Sequence, residues 1–387
     1  MIIENLFEKY NESPNSLELG IDLVYALIEN TRSQEALKVI KEIEQNHPAN
    51  LEVWQAKGIL FEKLGDYPRA IESYYAAIGF LSGKPEAAIF LEKLGNALTL
   101  NGDPEKGIEA FDNALLLMPE LKESAGFLHS VSWAYRKIGN SIKAISLLEK
   151  AIKTDSQFSD AYLALGGIFY EAGDLRKAKS VLKNAILELP QNSSIWSNLG
   201  YVLLESGDSP GECEEYFSRA ISLDEKNDRA YHGLGLLYFQ QEEYTDAILK
   251  FARSIELFPN YLNAIYHLGI CYVRTGLLRK GGRMFVQAIR LDADNHSYWH
   301  SLGTTAFYLK KYNIALWALN QAIRIDPNIP WTYGFIADAL TAQWNFEEAI
   351  RCLQDGIKNS EQDFEGREKL IRMEIEIQEY LKENKTS

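Results

Sequence analysis

The chain is poor in cysteine, has no long apolar run and is short of positive charge. Only three cysteines, Cys213, Cys271 and Cys352, occur in 387 residues. None forms a C-x-x-C pair, and an odd number does not suit a disulfide framework. No stretch approaches the ~20 consecutive apolar residues that span a bilayer. The opening residues MIIENLFEKY carry Glu4 and Glu8 and no basic n-region, so they do not read as a secretory leader. A cytoplasmic location is the expectation. Lys and Arg number 40 against 54 Asp and Glu, a net charge of −14. That balance argues against general affinity for nucleic acid or anionic membranes.

Signatures of catalysis are missing as well. There is no phosphate loop of the G-x-x-x-x-G-K-[ST] type, no H-E-x-x-H and no G-x-S-x-G. The glycines of Tyr231-His232-Gly233-Leu234-Gly235 sit at helical spacing, not in a nucleotide loop. No Cys/His cluster has metal-ligand spacing. The expectation is a protein with no catalytic residue, no cofactor and no metal.

What the chain has is repetition. In Asp228–Tyr261, Tyr231, Leu234, Gly235 and Tyr238 recur at i, i+3, i+4 and i+7, the spacing of one helical face. Ala247, Phe251 and Ser254 mark a second helix, and Pro259 follows where that helix cannot continue. Small residues at 235, 247 and 254 let the two helices approach, and aromatics fill the space between. The glycine position can be followed through Val24, Gly58, Gly95, Ser132, Gly166, Gly200, Gly235, Gly269, Gly303 and Ala337. The first alanine position runs through Ala36, Ala70, Gly107, Ala144, Ala178, Cys213, Ala247, Gly281, Ala315 and Ala349. The ladders agree except in Ser206–Gly211, which places one inserted residue in that turn. Two longer insertions fall near Pro85 and near Lys122-Glu123-Ser124.

This pattern resembles the tetratricopeptide repeat, a helix-turn-helix unit with the signature W-x2-L-G-x2-Y…A-x3-F…P. The resemblance covers residues 17–363, with ten repeats starting at 17, 51, 88, 125, 159, 193, 228, 262, 296 and 330. It implies an all-α solenoid, a right-handed superhelix of tandem hairpins. A hydrophobic content of 46% is ample for the continuous core such stacking needs. Residues 1–16 read as a helix and turn over the first repeat, with Ile2, Ile3, Leu6, Phe7 and Tyr10 on one face. Residues 364–387 read as a closing helix, with Leu370, Met373, Ile377, Tyr380 and Leu381 on one face and a frayed end at 384–387.

In that family the first helix of each repeat lines a concave groove. Carried onto this chain, the inward positions include His129, Trp133, Arg136, Tyr170, Tyr201, Arg229, His232, Phe239, Tyr266, His300, Phe307 and Trp331. These residues are an apolar peptide track or pack on each other across neighbouring repeats. No three consecutive repeats present the Lys/Asn/Lys/Arg carboxylate clamp found in some co-chaperones of the family. Arg274, Arg279, Lys280, Arg283 and Arg290 form a basic island between Leu257 and Leu291, where no Asp or Glu occurs. The island receives an acidic peptide or phosphate, or it pairs with Glu242, Glu243 and Asp246. Gly281-Gly282 makes the same repeat a soft point. The expected function is a non-catalytic scaffold or adaptor holding a segment of another protein, in complex assembly or chaperone assistance. A peptide-responsive regulatory receptor and a self-assembling structural protein are the alternatives.

Overall fold

The computed structural model describes residues 2–360 and 362–385 and the side chains of all of these except Ile2 and Lys385. Among them every regular element is a helix, and their contacts divide the chain into two compact units, Met1–Pro190 and Gln191–Ser387. The first unit holds α1 (Ile2–Glu12), α2 (Leu17–Glu29), α3 (Ser33–Asn46), α4 (Leu51–Lys63), α5 (Tyr67–Leu81), α6 (Ala87–Leu100), α7 (Pro104–Leu117), α8 (Ala125–Lys137), α9 (Ser141–Thr154), α10 (Ser159–Glu171) and α11 (Leu175–Glu188). The second holds α12 (Ser193–Ser206), α13 (Pro210–Leu223), α14 (Asp228–Gln240), α15 (Tyr244–Leu257), α16 (Leu262–Arg274), α17 (Leu278–Leu291), α18 (His296–Tyr308), α19 (Tyr312–Ile325), α20 (Pro330–Thr341), α21 (Phe346–Asn359) and α22 (Phe364–Lys385). From α2 to α21 the helices pair into successive hairpins, and within each unit every hairpin packs on the next.

The hairpin bend is the same each time. Every first helix ends on a residue with positive φ, at 31, 65, 102, 139, 173, 207, 242, 276, 310 and 344. The next N–H then donates to the carbonyl five residues back, as Asp66 does to Phe61 (2.8 Å), Glu243 to Tyr238 (2.9 Å), Leu277 to Tyr272 (2.7 Å) and Asn345 to Leu340 (2.9 Å). This is the Schellman closure, which satisfies carbonyls the helix end would leave bare. Six of the ten positions hold glycine, which adopts positive φ without penalty. Thr31, Glu242, Lys310 and Trp344 occupy it against a steric cost. The residue inserted after Gly207 falls directly behind this bend, between α12 and Pro210. The insertion near residue 122 forms a short 3-10 turn, Pro119–Glu123. Capping then starts many of the following helices: Asp66, Asn140, Asp174 and Ser209 each accept an N–H from the first turn.

Inside each hairpin from the second onward, an aromatic or leucine of the second helix fills the space over the small residue of the first. A Cβ added at Gly58 would lie 2.3 Å from the Tyr74 ring, and one at Gly235 2.6 Å from Phe251. Only glycine permits that approach. Tyr74, Phe111, Phe217, Phe251 and Phe285 are all fully buried there, and each contributes on the order of 2–3 kcal/mol. Cys213, at an alanine position, is likewise buried.

One amphipathic helix covers the first hairpin of the first unit, and another covers the last hairpin of the second. On α1, Ile3, Leu6, Phe7 and Tyr10 pack on Ile21, Val24 and Ile43 of the first hairpin. On α22, Leu370, Met373 and Ile377 pack on Tyr333, Ile336 and Leu353. Asn384 and Lys385, expected to fray, continue α22; Thr386 and Ser387 lie outside the described residues.

The bend makes a test of stability available. Lys310→Gly and Glu242→Gly should each raise the urea midpoint, by about 0.5–1 kcal/mol, because relief of the left-handed penalty exceeds the entropy that glycine adds to the unfolded chain. Gly139→Ala should lower it by a similar amount. Helical circular dichroism during unfolding reads all three.

Candidate functional site

Within each unit the first helices of neighbouring hairpins touch directly, α6 with α8 and α8 with α10 in one, and α12 with α14, α14 with α16, α16 with α18 and α18 with α20 in the other. Side chains at the inward positions therefore have a choice between the next helix and solvent.

In the first unit the choice is divided. His129 packs edge-on against Phe158 (5.7 Å between ring centres), and burial holds its pKa below the usual histidine value. Trp133 has two cations near its ring, Arg136 at 5.4 Å and Lys137 at 4.8 Å, and Arg136 also pairs with Glu171. Tyr170 is exposed.

In the second unit much of the predicted aromatic track turns inward. His232 is only 4% exposed. The Tyr201 hydroxyl donates to the Arg229 carbonyl (2.7 Å) and lies 2.7 Å from His232 Nδ1. The Tyr261 hydroxyl lies 3.3 Å from the same Nδ1, so both hydroxyls gather at one ring nitrogen and neither reaches Nε2. That nitrogen is buried without a partner. Tyr261 stacks on the same imidazole at 4.7 Å and His267 approaches at 6.0 Å. Desolvation first, then the charges of His267 and Arg229, push the His232 pKa down to about 3. Phe239 packs on His267, which stacks on Phe251. The Arg229 guanidinium stays exposed, 5.6 Å from the Tyr201 ring and 3.3 Å from Asn198 Oδ1. His267 was not among the residues singled out from sequence; it sits one residue beyond the inward Tyr266, on the same turn of α16.

Further along the unit the face opens. Tyr266 reaches the Ser301 hydroxyl (3.4 Å). His300 Nδ1 lies 2.9 Å from Thr332 Oγ1, and burial pushes its pKa down to about 4. Phe307 packs on Phe335 (5.8 Å). His300, Ser301 and Phe335 border a cleft of about 760 Å³ formed by α16, α17, α18 and α20. Ile270, Val273 and Phe335 give it apolar walls, Tyr308 (58% exposed) stands at its edge, and Arg274 supplies a cation. Tyr308 and Phe335 were also missed from sequence, each adjoining an aromatic or small position already spoken for in the repeat. Trp331 is exposed and carries Lys369 of α22 at 5.2 Å from its ring.

The basic island divides between two places. Arg274 belongs to that cleft, whereas Arg279 and Arg283 line a second one of about 820 Å³, with Arg290, Lys311 and an apolar floor that includes Met284 and Leu309. Lys280 lies 5.4 Å from the Tyr272 ring. Among the described residues no ion pair joins Arg274, Arg279 or Arg283 to Glu242, Glu243 or Asp246. Gly282 borders open space, its nearest prospective Cβ contact being Thr305 at 3.8 Å. Among the described residues no group of three His, Cys, Asp or Glu is placed to hold a metal ion, and no helix is long and apolar enough to cross a membrane.

Comparison with known proteins bears on the whole arrangement. Profiles described as tetratricopeptide repeat match residues 21–84, 139–200, 228–261 and 296–329. The chain is 26% identical over 116 residues to Hsp70-Hsp90 organizing protein 3 of Arabidopsis thaliana, covering 30% of this chain and 20% of that protein. It is 27% identical over 148 residues to anaphase-promoting complex subunit 6 of the same plant, covering 37% and 25%. The chain thus spans a fifth to a quarter of these two relatives. A repeat protein of Methanocaldococcus jannaschii is 24% identical over 400 residues, covering 89% of this chain and 69% of that one. Among solved structures, the human IFIT1 dimer with PPP-AAAA superposes with a TM-score of 0.51 at 15% identity, over 90% of this chain and 91% of that one.

The buried histidines make stability depend on pH. Each of His232, His267 and His300 has its pKa lowered in the folded state, so the unfolded chain binds more protons below its value of about 6.5. Stability is then complete above pH 6.5 and falls as the pH drops below it. His232 alone should remove about 2 kcal/mol between pH 7 and pH 5. Urea midpoints across this range should fall steeply for the native chain and less steeply for His232→Phe.

Proposed function

The chain belongs to the tetratricopeptide-repeat family, and we propose that it is a non-catalytic scaffold whose second unit holds a segment of another protein on its first-helix face. Members of this family are generally protein–protein interaction scaffolds. The observation that carries the reading here is the cleft beside α16, α18 and α20. Stacking has no use for the exposed Tyr308 ring or for the unpaired Arg274 at its border, and exposed aromatic surface is characteristic of binding sites. An extended segment with an apolar side chain and a neighbouring carboxylate matches those groups. The rigid row of helices holds the contacts in place beforehand, which limits the ordering cost of binding. Two of the relatives are named for chaperone organisation and for a multi-subunit complex, roles consistent with an adaptor.

The test compares surfaces. A partner isolated on the native chain should bind the Arg274→Glu, Tyr308→Ser double variant about tenfold more weakly, a loss of about 1.4 kcal/mol. Its affinity for Leu249→Glu, altered at an exposed position of α15, should be unchanged. Isothermal titration with melting curves for each variant separates binding from folding. Equal affinity for the double variant, with loss on Leu249→Glu, would overturn the assignment.

A further inference from the structure

The last hairpin bend departs from the other nine. Its positive-φ position holds Trp344 (φ 64°), and the side chain is 74% exposed. A bulky residue in that conformation costs about 1–2 kcal/mol and here buries little surface in return, so folding supplies no reason for it. Its ring instead meets Phe346 edge-on, 5.9 Å between centres at 89°. Phe346 in turn lies against Tyr380 of α22, 5.3 Å away at 38°. The three rings, with Met373 and Ile377, wall a cavity of about 460 Å³ between the last hairpin and α22.

Two carboxylates, Asp338 and Glu376, line the same cavity. Among the described residues neither forms an ion pair. Lys369, the cation that acts on Asp338, has its ammonium over the Trp331 ring. Burial raises the Asp338 pKa above the usual carboxylate range, and Glu376 adds to the effect. Thr341 Oγ1, also in the wall, is buried with no hydrogen-bond partner. The cavity thus combines aromatic faces, two carboxylates outside any ion pair among the described residues, and an unused polar atom.

We propose that this cavity binds an organic cation, an alkylammonium or guanidinium group whose charge faces Asp338 and Glu376 and whose apolar stem lies against the rings of Trp344, Phe346 and Tyr380. Ring faces attract such cations, more strongly where water is excluded, and the volume is in the range of small-molecule sites. The site is separate from the cleft beside α18 and does not depend on that reading.

The probes are n-butyltrimethylammonium, n-butylammonium, n-butylguanidinium, a neutral tert-butyl analogue of the first, and a short peptide with one lysine. Each is titrated into the full chain and followed by calorimetry and saturation-transfer NMR. At least one cation should bind saturably and about tenfold more tightly than the neutral analogue. Trp344→Gly should weaken that binding about tenfold without lowering the melting temperature, since glycine is the residue most of the bends already use. Asp338→Asn with Glu376→Gln should weaken it at least as much, and Trp317→Ala, an exposed ring on α19, should leave it unchanged. A lysine peptide that binds more tightly than n-butylammonium identifies the cation as a partner's side chain; equal affinity identifies a free small cation. The proposal is overturned if no cation saturates the site, if the neutral analogue binds as well, or if the Trp344 and carboxylate variants bind like the native chain.

Discussion

The left-handed bend at the end of each first helix is the constraint on which the rest of the structure depends. One residue at positive φ and one backbone hydrogen bond five residues back reverse the chain at the same point of every hairpin. Because that geometry does not vary, the second helix always returns with the same face toward the first. Its aromatic then arrives over the small residue opposite, as Phe251 does over Gly235 and Phe285 over Gly269. A hairpin closed in this way still has an apolar side, and covering it requires the next hairpin. Helix α22 answers the same need at its end of the second unit, with Leu370 buried against the last hairpin.

The same regularity decides what the inward face can offer a partner. First helices set side by side bring consecutive inward side chains within reach of each other, and burial favours contact where the shapes permit it. Around His232 they permit it fully: Tyr201, Tyr261 and His267 enclose the imidazole and take it away from any ligand. Around His300 they do so only in part. There Ser301, Thr304 and Thr305 are small, so Phe335 and Tyr308 border open space instead of filling it. One row of helices therefore contains both a cemented stretch and an open one, and the difference lies in side-chain volume, not in backbone geometry.

How much of this was legible in the sequence follows from the range of the interactions. The helical class and the hairpin periodicity rest on contacts between residues separated by a fixed number of positions, and such contacts leave a ladder of small and aromatic residues. The bend could also have been read, because glycine recurs seven residues after the glycine ladder at 65, 102, 139, 173, 207 and 276. The inward positions carried over from the family all fall on first helices, and the sequence does not show which of those side chains are spent on packing. His232 and His300 occupy the same slot, yet only His232 is buried to 4%. What separates them is the set of groups around each imidazole, Tyr201, Tyr261 and His267 at His232 against Thr332 and Phe335 at His300, and the one-dimensional pattern says nothing of how those side chains turn. The cavity beside Trp344 was out of reach for a related reason: α22 does not follow the repeat, so no ladder predicts which of its residues meet the last hairpin.

Repetition nevertheless gives departures a meaning they would lack in an irregular fold. Each slot is subject to the same physical demand in hairpin after hairpin, so the residues that satisfy the demand define what folding alone requires. Glu242 and Lys310 depart from glycine at the bend, but their flexible stems leave the charge in solvent and meet no aromatic wall there. Trp344 departs at the same backbone cost and brings a large apolar surface into water, where it gains little from burial. It also stands beside two carboxylates that, among the described residues, no ion pair neutralises. A tolerated accident would account for the ring or for the charges separately. Their meeting in one cavity, at the bend that adjoins α22, has a physical rationale if something cationic and partly apolar completes it.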